Sequence, residues 1–343
     1  MALDRTSDIG KITIDPRRRL FSATHQEILN AHTTDIYFLR TRDILSRTGR
    51  LDVPVAADVF NRGGGVLCGV DETVNLLRGR NVEIFSLTEG ERFEPGETVM
   101  SIRGPYGEFG LFETTLLGIL SSSSAWATAA AQCKQAAGGL PVVCFGARHV
   151  HPAVAPVMER AAIIGGADGC SCILGALLAG LTPTGTVPHA AILITGDTLE
   201  LAQAFDQVVD PGVPRVILVD TFHDEAEETL RVARALKDRL HGVRLDTASE
   251  RGGVTPDLVR EVRFRLDLEG FHHVKIAVSG GVRPERMPAF VQAGADFFGV
   301  GSYISDATPL DMTMDIKEID GAPVAKRGRL PGCTVNPRHK KIL

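Results

Sequence analysis

Most of the features that would classify this chain at a glance are scarce or missing. No apolar run approaches the roughly 20 residues a bilayer-crossing helix needs, and Met1-Ala2-Leu3-Asp4-Arg5 begins without an apolar leader. A soluble, cytoplasmic protein with no membrane partner is expected. The formal net charge is only −5, too little to draw nucleic acid by global attraction. Arg17-Arg18-Arg19 is a local basic run of the kind found on a solvated face or a mobile arm. The six cysteines, Cys68, Cys133, Cys144, Cys170, Cys172 and Cys333, contain no C-x-x-C pair, so neither a disulfide framework nor a zinc site is expected. Cys170 and Cys172 lie in an apolar stretch and read as buried free thiols. No Ser/His/Asp or Cys/His arrangement marks a protein nucleophile.

What is present is a change of pattern along 343 residues, enough for two structural units. Thr24 to Glu27 form a T-x-x-E capping box. A second short helix is expected to begin near Thr34-Asp35 and to carry Ile36, Tyr37, Phe38 and Leu39. From Asp58 to Tyr106, runs such as V-E-I-F-S-L and T-V-M-S-I alternate with Glu-Gly-Glu and Pro-Gly, which predicts a small β-rich unit. Leu111 to Ala137 reads as one or two tightly packed helices, with Ser121 to Ser124 as small residues permitting close approach. After Pro141, apolar strands are expected to end near Arg148, Cys172, His189, Thr221, Thr247, Gly281 and Ser302. Helical stretches alternate with them, the clearest being Asp224 to Leu240, with one apolar face, an acidic first turn and a basic last turn. Seven βα units in about 160 residues imply an α/β fold with an incomplete, irregular β/α barrel. The tail from Asp315, I-K-E-I-D-G-A-P, predicts a hairpin returning to the β-rich unit.

Val274 to Ser305 organises the functional reading. One strand ends in Ser279-Gly280-Gly281, a helix is expected from Pro284 to Gln292, and a second strand ends in Gly299-Val300-Gly301-Ser302. Glycine at a strand's carboxyl end lets backbone N–H groups approach an anion, and two such ends in succession suggest paired phosphate loops. The alternative is two turns that need glycine only for positive φ. Parallel strands would bring Arg148, His149, Ser171, His189, Asp220, Arg244 and Asp246 to the same rim. Each has a plainer reading: Asp220 as a helix cap, Arg244 and Asp246 as a local ion pair, His189 as a buried histidine bonded to backbone. Together they suit a phosphorylated sugar substrate.

These residues also carry a resemblance. Thr34-Asp35-Ile36-Tyr37, F-G-A-R-H (Phe145 to His149), G-C-S-C (Gly169 to Cys172), T-V-P-H (Thr186 to His189), V-D-T-F (Val219 to Phe222), R-L-D-T (Arg244 to Thr247), S-G-G and G-V-G-S follow in an order that resembles the nicotinate phosphoribosyltransferase family, archaeal type, without its C-terminal zinc module. The resemblance implies nicotinate and phosphoribosyl pyrophosphate as substrates, nicotinate mononucleotide and pyrophosphate as products, ATP as co-substrate in a pentosyl transfer of ligase-type classification, Mg²⁺ on the pyrophosphate and a homo-oligomer, at least a dimer. It implies a split N-terminal α+β domain (1–140) completed by 306–343, and a catalytic barrel at 141–305. Phe145 would stack on the pyridine ring, with Tyr37 contributed by a neighbouring subunit. Arg148 and Arg244 would bind anions, and Asp220 and Asp246 would lie near the ribose and metal. His189 would be the histidine that ATP phosphorylates. Ser279, Gly280, Gly281, Gly299, Gly301 and Ser302 would hold the 5′-phosphate. Ser171, where nicotinamide-using relatives carry aspartate, would favour nicotinate by avoiding charge repulsion. F-G-A-R-H departs from the family's F-G-A-R-R and leaves His149 without a role. Two rivals remain: a quinolinate phosphoribosyltransferase, which shares the fold and decarboxylates a diacid but would call for a larger cationic cluster than a rim offering mainly Arg148 and Arg244 with histidines, and a phosphate-binding regulatory barrel without turnover.

Overall fold

The computed structural model describes residues 1–343. By internal packing the chain divides into Met1–Thr128 together with Thr308–Leu343, and Ala129–Ala307. In chain order the strands are β1 (Pro54–Asn61), β2 (Gly65–Val66), β3 (Glu83–Ser86), β4 (Arg92–Phe93), β5 (Thr98–Pro105), β6 (Val142–Cys144), β7 (Gly169–Cys170), β8 (Val216–Leu218), β9 (Gly242–Leu245), β10 (Lys275–Val278), β11 (Phe297–Val300), β12 (Met312–Ile319), β13 (Ala322–Pro323) and β14 (Lys340–Lys341).

The first unit is built on a six-stranded sheet in the order β13-β12-β1-β5-β3-β14. Asp320 and Gly321 both have positive φ, 51° and 76°, which suits a tight hairpin turn between β12 and β13. β12 then runs antiparallel to β1, with Val59 opposite Met314. Ile84 on β3 and Val99, Met100 and Ile102 on β5 are fully buried. The Thr24 capping box forms as the sequence implies: the Thr24 hydroxyl accepts from the Glu27 N–H, and the Glu27 carboxylate accepts from the Thr24 N–H. Leu111 to Ala137 becomes one helix, Glu113–Ala136. Within it the Ser124 hydroxyl meets the backbone of Cys68, so the serine run is packed inside the unit.

The second unit is an α/β fold whose parallel sheet curls into an open barrel, ordered β7-β6-β11-β10-β9-β8. Strands β8 to β11 pair in succession and β6 closes onto β11, but β7 and β8 do not pair. The sheet has six strands where the sequence suggests seven. The expected strand ending at His189 is instead a loop and the helix His189–Thr195, in the connection between β7 and β8. Ile276, Val278, Phe298 and Val300 are fully buried in the central strands, each worth about 1.5–3 kcal/mol by apolar burial. The helix expected over Asp224 to Leu240 spans Glu225–Leu236, with Asp224 accepting from the N–H groups of Ala226 and Glu227. It stops where Lys237 takes a positive φ of 52°. All six cysteines are free, and Cys170 is buried. No helix is long and apolar enough to cross a membrane.

Candidate active site at the barrel rim

Because the strands are parallel, the residues immediately after them collect at one end of the sheet. Phe145 follows β6 and Ser171 follows β7. Asp220 stands two residues beyond β8, Asp246 directly follows β9, Ser279 follows β10, and Gly301 follows β11.

Arg244, on β9, is the hub. Its Nε donates to Ser279 Oγ at 2.8 Å, one terminal nitrogen to Thr186 Oγ1 at 3.1 Å and the other to Asp246 Oδ2 at 2.9 Å. The guanidinium also lies 5.3 Å from the centroid of the Phe145 ring, within cation–π range. Ser279 Oγ donates to Asp246 Oδ1 at 2.9 Å, so both oxygens of Asp246 are engaged. The local ion pair considered for Arg244 and Asp246 therefore exists, inside a network that joins three strand ends.

Asp220 does not cap the following helix; Asp224 does. Its Oδ2 lies 2.9 Å from His189 Nε2, while Oδ1 is buried without a hydrogen-bond partner. The neighbouring Thr221 Oγ1 is also buried and unpartnered. Burial pushes the Asp220 carboxyl above its ordinary pKa; the hydrogen bond from His189 pulls it down, and the charge of Asp246 adds to the rise. His189 is partly exposed and bonded to a carboxylate, which removes the backbone-bonded alternative.

The glycines divide by cause. Gly280 and Gly281 have φ of 78° and 65°, and a Cβ on Gly280 would stand 2.9 Å from Asp246 Oδ1. Gly299 lies within β11, where a Cβ would come 2.5 Å from the Phe145 ring. A Cβ on Gly301 would stand 3.1 Å from His149 Nε2. Ser302 opens the short helix Ser302–Ser305. Arg148 and His149 are exposed on the loop after β6. Tyr37 belongs to the first unit, on the helix Ile36–Arg47, where its hydroxyl donates to Asp35 Oδ2 at 3.1 Å.

Sequence reasoning missed Thr186 as an Arg244 partner, and it missed Glu159. This glutamate, on the helix Ala155–Ile164, is fully buried and accepts hydrogen bonds from the loops after both β6 and β7. The available signal was an acid set among Val157, Met158, Ala161 and Ala162. Two more cations, Arg251 and Arg283, stand on the loops after β9 and β10, where the sequence reading counts only Arg148 and Arg244. No group of three or more His, Cys, Asp or Glu side chains could hold a metal by itself.

Two family models match: the quinolinate phosphoribosyl transferase N-terminal domain over residues 35–124 and its C-terminal domain over residues 126–315. The crystal structure of nicotinate-nucleotide pyrophosphorylase from Pyrococcus furiosus is 45% identical, with a TM-score of 0.89, covering 92% of this chain and 82% of that one. A probable nicotinate-nucleotide pyrophosphorylase [carboxylating] of Methanothermobacter thermautotrophicus is 23% identical over 77% of this chain and 88% of its own. Nicotinate phosphoribosyltransferase pncB1 of Mycobacterium tuberculosis is 33% identical over 71% of this chain, which spans only 55% of that relative's length.

These matches correct the family expected from sequence motifs, and with it nicotinate as substrate, ATP as co-substrate, the ligase-type classification and the phosphohistidine role of His189. The physical reasons lie at the rim. The Ser171 hydroxyl, to which the choice of nicotinate is assigned above, faces Glu159 Oε1 at 3.3 Å and is a weak basis for choosing among acids. Arg251 and Arg283 weaken the objection that the rim has too few cations for a diacid.

Proposed function

Because the chain belongs to the quinolinate phosphoribosyltransferase family, we propose that it transfers the phosphoribosyl group of phosphoribosyl pyrophosphate to quinolinate, releasing pyrophosphate and CO₂ and leaving nicotinate mononucleotide. The observation that carries this reading is the 45% identity to the Pyrococcus furiosus pyrophosphorylase across most of both chains. The name of the methanogen relative, pyrophosphorylase [carboxylating], describes the same chemistry in reverse.

In this proposal the pyridine nitrogen attacks the anomeric carbon as pyrophosphate departs, and positive charge grows on the sugar. Asp220, desolvated and held on one oxygen by His189, presents its free Oδ1 to that charge. The same oxygen fits Mg²⁺, which is commonly held by one or two carboxylates together with substrate phosphates and would offset charge on the leaving group. Asp246 fixes Arg244 in place for an anion, and Phe145 offers a ring face to the pyridine. Arg148 supplies a second guanidinium, with a planar fork suited to carboxylate. Ser279, Gly280 and Gly281, with Gly301 and Ser302, take the 5′-phosphate, while Gly299 makes room for Phe145. Once the ring nitrogen carries the sugar, the adjacent C–CO₂⁻ bond breaks, its electron pair remains on the ring carbon, and a proton replaces CO₂.

The proposal includes the domain division: 1–140 with 306–343 as one split α+β domain, supported by β12 pairing with β1 and β14 with β3. A cytoplasmic setting is supported by six unpaired cysteines. The test is to incubate the protein with phosphoribosyl pyrophosphate and Mg²⁺, adding quinolinate, nicotinate or nicotinamide in turn, and to measure pyrophosphate and CO₂. Equal release of both with quinolinate is expected, without ATP. Turnover of nicotinate with none of quinolinate would overturn the proposal.

A further inference from the structure

Glu159 is a carboxylate with no exposed surface, and burial of a charged group is costly unless hydrogen bonds compensate it. Its hydrogen bonds converge from two directions. Oε1 accepts from the backbone N–H of Ala147 at 3.0 Å and faces Ser171 Oγ at 3.3 Å. Oε2 accepts from the backbone N–H of Cys172 at 2.5 Å. Ala147 lies between Phe145 and Arg148 on the loop after β6, and Cys172 follows Ser171 on the loop after β7. One side chain thus ties the loop after β6 to the loop after β7.

The helix bearing Glu159 is seated for this task. Gly175, on the helix after β7, lets the two helices approach closely: a Cβ there would stand 3.2 Å from both the Glu159 Cβ and the Pro156 carbonyl oxygen. The nearby Cys144 and Cys170 thiols are pushed up, chiefly by burial and further by the Glu159 charge; Cys170 reaches about 12.

We propose that Glu159 is a positioning residue for the pyridine half of the substrate, holding the loops of Phe145, Arg148 and Ser171 in a fixed relation through the N–H groups of Ala147 and Cys172. This rests on the transfer reading above, which gives those loops to the pyridine acid. The loops after β10 and β11 donate no hydrogen bond to Glu159, so the larger part of its effect is expected on the pyridine substrate.

The experiment pairs kinetics with amide hydrogen exchange on the full chain. In Glu159→Gln one acceptor oxygen becomes an NH₂ that faces a backbone N–H. KM for quinolinate is expected to rise about tenfold or more, with KM for phosphoribosyl pyrophosphate held within about twofold, because charged hydrogen bonds at one end of the site are lost. The Ala147 and Cys172 amides are expected to exchange about tenfold faster, while amides of β10 and β11 keep their protection. Glu159→Asp, one methylene short but still charged, should fall between wild type and Glu159→Gln on both measures. If Glu159→Gln does not fold, the same comparison is read in Glu159→Asp. Unchanged exchange at both amides, or an equal rise in both KM values, would overturn the proposal. Failure of the wild-type protein to use quinolinate would instead strike the transfer reading, leaving the exchange result to judge Glu159 separately.

Discussion

Asp220 and Asp246 stand at the ends of adjacent strands, β8 and β9, and are the same residue in two conditions. Asp246 has both oxygens engaged, by Arg244 and Ser279. Asp220 has one oxygen on His189 and one buried without a partner. The first arrangement completes a network; the second leaves acceptor capacity in a desolvated place, where a developing positive charge would be felt most strongly. An acid that is fully bonded builds the site, and an acid that is half bonded is available to the ligand.

Replacing the half-bonded acid should cause the greatest loss of activity. Asp220→Asn is expected to lower kcat by about 10³-fold, the scale of removing a preorganised electrostatic group. Thermal unfolding at neutral pH should show no loss of stability. The sign follows from the raised pKa: the folded state favours the protonated carboxyl, so Asp220 costs stability progressively as pH rises from its unfolded to its folded pKa and fully above it, and a neutral side chain removes that cost. A marked fall in melting temperature with activity intact would reverse the contrast between the two acids.

Asp246→Asn should cost less, about ten- to a hundredfold in kcat/KM, by releasing one arm of Arg244. It should also move the acidic limb of the pH–rate profile downward, since the charge of Asp246 helps to raise the Asp220 pKa. Gly299→Ala places a methyl against the Phe145 ring and should raise KM for the pyridine acid about five- to tenfold with little change for phosphoribosyl pyrophosphate. His189→Ala is expected to have the smallest effect at alkaline pH, about two- to fivefold in kcat, because Asp220 is ionised there with or without its partner. At acid pH the loss should deepen, as the limb moves upward without the hydrogen bond that favours the charged form. Identical shifts in Asp246→Asn and His189→Ala would show that the two acids do not differ in the way the geometry implies.

Much of this rim could be read from the sequence because its signals are local. Gly280-Gly281, the single acids at the ends of V-I-L-V-D and V-R-L-D, and the Asp-Gly turn of the tail each announce a strand end or a turn over a few residues. His189 could not be placed that way: V-P-H follows an apolar run that reads as strand, and only tertiary packing shows that this stretch is a loop leading into a helix. Glu159 was hidden for the opposite reason, since an acid in a helix ordinarily faces solvent and nothing local says that two backbone N–H groups await it. Substrate choice was the least legible feature. Short motifs shared between related transferases pointed to nicotinate, whereas the match over whole domains points to quinolinate.

The place of β1 between β5 and β12 bears on how the chain comes to be folded. During synthesis β1 and β5 are made early and β12 some 250 residues after β1, an interval that holds the entire second unit. Until residues 312–319 emerge, one edge of β1 lies open, and until Thr334 follows, Asp58, bonded at maturity to Ser101 and to the Thr334 N–H, lacks its second partner. The barrel needs nothing from the tail for its own strand pairing and can close first. The first unit is then begun early and finished last, with its longest wait at the strand that becomes the middle of its sheet.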